Sequence, residues 1–163
     1  TIQFNTLFSV AKDILSELSR NGFNRVIVLS GHAGSSHMVA LRLAAQEVVR
    51  QNGEENGRQR MRIMVLSDYD FAEELASELA PPKDGHAGTV ETSRVMAIRP
   101  DLIKAKGVPS KYEMPRFEVV AHPELYFPSG VNGDPTAASA SKGQKINEYI
   151  ITQVEELVKA LRL

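Results

Sequence analysis

The 163-residue sequence contains no cysteine. Disulfides, thiolate zinc sites and a cysteine nucleophile are therefore excluded, and histidine, aspartate and glutamate are left as candidate metal ligands. An excess of charge of either sign is also missing. A formal net charge of -1 sets up no general field to attract nucleic acid or an anionic membrane. No apolar run approaches the roughly 20 residues of a membrane span, and the N-terminus has no signal-peptide pattern. A cytoplasmic protein without nucleic-acid or membrane partners is expected. Three catalytic signatures are absent as well: the G-x-x-x-x-G-K-[ST] phosphate loop, the G-x-S-x-G nucleophile elbow and the helical H-E-x-x-H.

What is present is ordinary in bulk. The apolar fraction is 42% and the charged fraction 24%, as in soluble globular proteins. One α/β domain over residues 1–163 is expected, long enough to bury roughly 70% of its unfolded surface.

Apolar residues at Leu7, Phe8, Ala11, Ile14, Leu15 and Leu18 share one helical face. Asn5 or Thr6 is expected to cap that helix, and Asn21-Gly22 to stop it. Arg25–Ser30 reads as a strand buried on both faces, followed by a helix over His37–Arg50 with Met38, Leu41, Leu43, Ala44 and Val48 inward. Asn52–Arg60 reads as a solvated loop, Arg62–Leu66 as a strand, and Phe71–Leu79 as a helix stopped by Pro81 and Pro82. Asp68 and Asp70 are expected to cap that helix, the alternative being that they point into a cleft. Thr89–Ile98 reads as a helix and "RFEVVAH" as a third strand. Asp134-Pro135 is expected to open a last helix whose stripe is Ile146, Tyr149, Ile150, Val154, Leu157, Val158 and Leu161. Helices alternating with short apolar strands predict a layered α/β/α domain with a mainly parallel sheet.

In such sheets ligands bind beyond the carboxyl ends of strands. "SGHAGSS" lies there, with Gly31 and Gly34 allowing a tight turn or a close approach and His32 displayed at the strand tip. A second loop, "DGHAGTVETS", repeats His-Ala-Gly and adds Glu91 about one turn into a helix, where a carboxylate is favoured as the anion. An ionised glutamate and a neutral histidine suit a divalent cation. Blander readings stand beside these. His32 and His86 also fit as hydrogen-bonded turn residues, His37 as a helix-start residue, Glu91 as a helix-start carboxylate and His122 as loop structure. A phosphate cradle over Gly31–Ser36 is physically allowed but has no basic residue in it.

"GFNRVIVLSGHAGSSHMVAL", "DGHAGTVETSRVMAIRPDLI" and "SGVNGDPTAASASKGQKINEYI" resemble, in order, the N-G-H-G-G-N, H-A-G-x-x-E-T-S and Gly-x-x-Gly-Asp-Pro segments of the creatininase family of metal-dependent amidohydrolases. The resemblance implies an α/β sandwich with two divalent metal ions (zinc, manganese or iron) and an oligomer, often a hexamer. It implies metal ligation by His32 and Glu91, proton transfer by His86, and substrate contacts from Gly31, Ala33, Gly34, Ser35 and Gly85. The implied reaction is hydrolysis of a C–N bond in a small-molecule amide. Within the family the "SGHAG…HM" run resembles archaeal formamide hydrolases acting on a formylaminopyrimidine ribotide in flavin and deazaflavin biosynthesis. Ser30 and Ser35 depart from the family's usual asparagines. The family's Glu-x-His pair and aspartate ligand have no counterpart here, so the N-terminal strands and remaining ligands are expected from a separate N-terminal fragment or a complementary subunit. A non-catalytic scaffold subunit and a nucleotide- or phosphate-binding module are the alternatives.

Overall fold

The computed structural model describes residues 2–55, 58–105 and 107–162, and the chain divides into two compact units, Thr1–Phe71 with Gln153–Leu163, and Ala72–Thr152. Five helices, α1 (Phe4–Arg20), α2 (Ser35–Asn52), α3 (Tyr69–Leu79), α4 (Thr89–Ile98) and α5 (Ala140–Arg162), accompany four described strands, β1 (Arg25–Ser30), β2 (Glu54–Glu55), β3 (Arg58–Gln59) and β4 (Arg62–Ser67). The class is α/β, with a parallel sheet.

In the first unit β1 and β4 pair in parallel, from Arg25 opposite Arg62 to Ser30 opposite Ser67. Val26 and Val28 alternate with Ile27 and Leu29, so they share a face. That face meets Leu15 of α1 and Ala45 and Val48 of α2, with Met61, Ile63 and Val65 completing the cluster. The period of α2 puts Met38, Leu41, Ala44 and Val48 inside but leaves Leu43 exposed, and on α1 Ile14 likewise faces out. Lys12 of α1 pairs with Glu47 of α2, and Ser19 donates to Asn52. The opposite sheet face receives the end of α5, where Ile27 lies near Val158 and Leu161. Arg25 Nε and Arg62 Nη1 donate to the Leu161 carbonyl at 2.9 and 3.1 Å, satisfying a helix-end acceptor that has no partner inside the helix. Leu29 is 48% exposed, so β1 is not buried on both faces.

Local signals explain most element ends, and some sit elsewhere than expected. Gly22 takes a left-handed φ of 86°, while Phe23 N–H reaches Leu18 and Gly22 N–H reaches Ser19, the two bonds of a Schellman stop. At the other end Leu7 N–H bonds the Gln3 carbonyl, so Asn5 and Thr6 lie inside α1 and do not cap it. Asn52–Arg60 is not all loop: β2 and β3 form a short antiparallel pair within it. Ser67 opens α3, its hydroxyl accepting Tyr69 N–H at 3.2 Å while Asp70 accepts Ser67 N–H at 2.9 Å. That reciprocal capping box makes Asp70 a capping residue, as expected, with Ser67 as its unforeseen partner.

The second unit is held by close contact of α4 with α5. Val90, Thr89 and Ser93 of α4 are buried, as are Ile146 and Ile150 of α5, and Tyr149 donates to Glu74 of α3, which raises its phenol above the ordinary value. Asp134 does not open the last helix. Its carboxylate accepts Thr136 N–H at 2.9 Å and caps the 3-10 turn Pro135–Ala137, and α5 starts only at Ala140, where Ser139 accepts Lys142 N–H. "RFEVVAH" forms no strand. Phe117 has a left-handed φ of 69° that breaks an extended run, and Phe117 and Val119 are 91% and 98% exposed. Among the described residues no helix is long and apolar enough to cross a membrane.

Gly143 of α5 lies against the Ser93 carbonyl, and a Cβ there would overlap that carbonyl and come within 2.8 Å of Arg94 N. Helix propensity alone favours Gly143→Ala by about 1 kcal/mol. Overlap with backbone that cannot rotate away reverses the sign. The variant is expected to be less stable by about 2 kcal/mol, read as a lower urea midpoint; a midpoint at or above the parent's would show that α4 and α5 have room to part.

Candidate functional site

Two loops carry the candidate residues, one in each compact unit. His32 lies in the first, beyond β1, and His86 and Glu91 lie in the second, before and within α4.

Ser30, the last residue of β1, organises the first loop. Its side chain is buried, and its hydroxyl lies 3.2 Å from His32 N, 2.9 Å from His32 O and 3.0 Å from His37 Nε2. A hydroxyl has one hydrogen to give. All three bonds are made when His32 N–H and His37 Nε2–H both donate to Ser30 Oγ and Ser30 donates to the His32 carbonyl. The family-typical asparagine position is thus filled by a side chain committed to the loop itself. His37, the first-turn residue of α2, stands edge-on to the His32 ring with centroids 5.0 Å apart.

Gly34 shows what its close approach is for. A Cβ at Gly34 would overlap His32 Nε2 and come within 3.0 Å of Cε1; the imidazole lies folded over the glycine of its own loop. Gly31 has open space around it and no left-handed φ, so the turn does not require glycine there. Gly34 and Ser35 line a groove with His32, His37, Phe4 and Leu7. Gly31 and Ala33 are exposed without lining it.

The second loop is built on Asp84. Its carboxylate accepts Thr89 N–H at 2.7 Å and Val90 N–H at 2.8 Å, the first two amides of α4. A carboxylate there satisfies donors that have no partner within the helix and complements the helix dipole. The surroundings are shaped to it: a Cβ at Gly88 would come within 2.7 Å of Asp84 Cγ, and one at Gly133 within 3.2 Å. Thr89, itself buried, donates through its hydroxyl to the Asp134 carbonyl at 2.5 Å. Asp84 was not among the residues singled out from sequence, although an aspartate five positions ahead of a helix start was a readable signal.

With the amides of Thr89 and Val90 taken, Glu91 turns back. Its Oε2 accepts Ala87 N–H at 2.6 Å and lies 3.6 Å from His86 Nδ1. Ala87 has a left-handed φ of 53°, uncommon for a residue with a Cβ. The 3.6 Å separation exceeds a hydrogen bond, and the His86 side chain is 64% exposed against 29% for Glu91. The carboxylate is held by the backbone, and the imidazole is exposed beside it. Gly85 serves the scaffold: a Cβ there would meet Asn132 Nδ2 at 2.8 Å, and Asn132 N–H in turn bonds the His86 carbonyl at 2.8 Å. Asp68 and Asp70 stay with the start of α3, and His122 sits in a loop 3.0 Å from Glu124.

His32 and Glu91 offer the imidazole nitrogen and carboxylate oxygen that divalent ions take. Among the described residues, no three His, Asp or Glu side chains gather into a metal cage. His32 and Glu91 each have donor chemistry that a divalent ion takes, and neither loop by itself carries the three protein ligands that catalytic zinc usually has.

Asp84→Ala is expected to cost about 2 kcal/mol, and Asp84→Asn less, because the amide keeps one acceptor oxygen. Urea unfolding would measure both, with hydrogen exchange of the Thr89 and Val90 amides accelerated locally. Parent-like stability for Asp84→Ala would show that water serves those amides equally well.

The family profile described as creatinine amidohydrolase matches residues 1–158. Creatinine amidohydrolase of Pseudomonas putida is 28% identical over 179 residues, covering 94% of this chain and 62% of that protein. The mycofactocin precursor peptide peptidase of Mycolicibacterium smegmatis is 28% identical over 145 residues, covering 83% of this chain and 49% of the peptidase. Among solved structures, a tryptophan-to-phenylalanine mutant creatininase superposes with a TM-score of 0.82 at 24% identity, and a structure described as "Creatininase Mn" with 0.79 at 25%; each pairing covers 98% of this chain and 65% of the other. This chain thus spans about half to two thirds of the length of these relatives. The profile match runs through both His-Ala-Gly loops and the Asp134-Pro135 turn, and the chain belongs to the creatininase family.

Proposed function

We propose that this chain is the larger part of a metal-dependent amidohydrolase that cleaves a C–N amide bond with an activated water. The observation that carries the reading is the pair made by Glu91 and His86: a carboxylate held at Oε2 by Ala87 N–H, beside an exposed imidazole 3.6 Å away. The membership of the family supports it, as does the naming of relatives as a creatinine amidohydrolase and a manganese creatininase.

Glu91 and His32 are the residues of this chain that would hold two divalent ions. Bound ions of this kind lower the pKa of a coordinated water and polarise a carbonyl oxygen. The chain's own residues then have separable tasks. Glu91 is oriented before any ligand arrives, since its Oε2 is fixed by the backbone and the α4 dipole favours its charge. His86, exposed and outside hydrogen-bond reach of Glu91, would hand a proton to the departing nitrogen or stabilise the tetrahedral oxyanion. Gly34 and Ser35 border the groove beside His32, which supports the substrate contacts expected of them; Gly31 and Ala33 would contribute backbone, and Gly85 would act through Asn132. The remaining metal ligands come from polypeptide outside this stretch, in keeping with relatives that are longer than this chain. The assembled protein would be a homo-oligomer, a hexamer among the options. For substrate we infer a cyclic amide or a formamide, the finer candidate being a formylaminopyrimidine ribotide that loses formate.

Two variants in the full-length protein separate ligand from proton carrier. Glu91→Gln is expected to lower both bound metal and turnover. His86→Gln is expected to leave metal content intact and lower kcat by about 100- to 10,000-fold. Metal analysis beside formate release from the ribotide, or opening of a cyclic amide, would measure this. No metal under any reconstitution, with both variants silent, would favour a non-catalytic scaffold.

A further inference from the structure

We propose that Tyr112 and Phe127 form an aromatic platform beside His86 that selects substrates with a planar, conjugated group next to the scissile amide; this rests on the amidohydrolase reading above and adds its specificity. Three rings stand in sequence. Phe127 lies 5.8 Å from the His86 ring at 59°, and Tyr112 lies 4.7 Å from Phe127 at 51°. These are separations at which aromatic rings attract through their quadrupoles.

Their position is set by backbone. Ser110 and Gly133 exchange two hydrogen bonds, at 3.0 and 2.7 Å, and Asn132 N–H bonds the His86 carbonyl at 2.8 Å. Tyr112 follows Ser110 by two residues, and Phe127 precedes a turn closed by Gly130 N–H on its carbonyl. The loop ends are therefore anchored to the His86 backbone itself. Other apolar side chains of this region, Phe117 and Leu125, are more exposed than Tyr112; Phe127 is the ring in contact with His86, and Tyr112 tilts against Phe127.

Tyr112 is 37% exposed and Phe127 only partly buried, so ring surface stays open next to the proposed proton carrier. A flat group can bury that surface by offset stacking. A puckered aliphatic group of equal size gains contact area without the ring–ring attraction. The platform therefore discriminates by flatness more than by size.

Formanilide and N-cyclohexylformamide share the same scissile bond and differ in the flatness of the ring. In the full-length protein, Phe127→Leu keeps an apolar side chain and removes the ring face. It is expected to raise KM for formanilide about tenfold, with kcat and both constants for N-cyclohexylformamide within about twofold. Tyr112→Leu should act in the same direction, more weakly. Equal losses on both substrates, or none, would overturn the platform. Binding of benzamide and of cyclohexanecarboxamide, followed by saturation-transfer NMR, tests it apart from turnover. A preference for benzamide that Phe127→Leu abolishes supports the platform even if no amide, formamide, ribotide or cyclic, is hydrolysed, in which case the amidohydrolase reading fails alone. No preference in the parent protein overturns the platform whatever is hydrolysed.

Discussion

The carboxylate of Asp84 takes the first two amides of α4, and much of the second unit is arranged so that it can. Gly88 and Gly133 leave the space its oxygens occupy. Thr89 gives its hydroxyl to the Asp134 carbonyl, which draws the Gly-Asp-Pro segment onto the same helix end. Because Asp84 serves Thr89 and Val90, Glu91 does not have to, and its side chain is released to reach back to Ala87. One charge at a helix start therefore decides what a second charge, one turn later, is free to do. Without it, two buried amides would go unserved at about 1–3 kcal/mol each.

The tripeptide His-Ala-Gly occurs twice and folds in two ways. After β1, Ala33 keeps an ordinary negative φ, Gly34 starts α2, and the His32 ring folds over that glycine. Before α4, Ala87 takes the left-handed region, Gly88 is extended, and His86 points outward. The difference comes from the flanks. Ser30 binds both ends of the first loop residue His32, whereas Asp84 and Glu91 hold the amides around the second loop. A short motif names the atoms available, and its neighbours decide their direction.

That distinction also marks what could be read in advance. Local, periodic signals were legible: the Asn21-Gly22 stop, the α2 face from Met38 to Val48, and the placing of Glu91 in the first turn of α4. Parallel pairing of β1 with β4 followed from helices lying between strands. The failures depend on partners that periodicity does not encode. "RFEVVAH" has strand composition, yet composition cannot supply an edge to pair with, and Phe117 turns left-handed instead. Leu29 is apolar in a buried-looking run, but α1 and α2 pack on the Val26–Val28 face, and on the other face the end of α5 lies at Ile27 and leaves Leu29 exposed. The close approach of Asn132 to Gly85, from 47 positions away, is likewise not written in its loop. The capping position of Asp84 is readable ahead of α4, but the space that Gly88 and Gly133 leave for it exists only in the folded chain.

Stability alone accounts for Asp84, Thr89, Gly133 and Gly143; each closes a contact or satisfies a buried group. It does not account for Ala87 or His86. A residue with a Cβ in the left-handed region costs of order 1 kcal/mol, and a glycine at that position would form the same turn without the cost. An imidazole left 64% exposed adds little packing. What the strained turn accomplishes is local: it presents Ala87 N–H to Glu91 and leaves the His86 ring exposed beside that carboxylate. A strained turn between a held carboxylate and an exposed imidazole is what the amidohydrolase reading would use and a scaffold would not need.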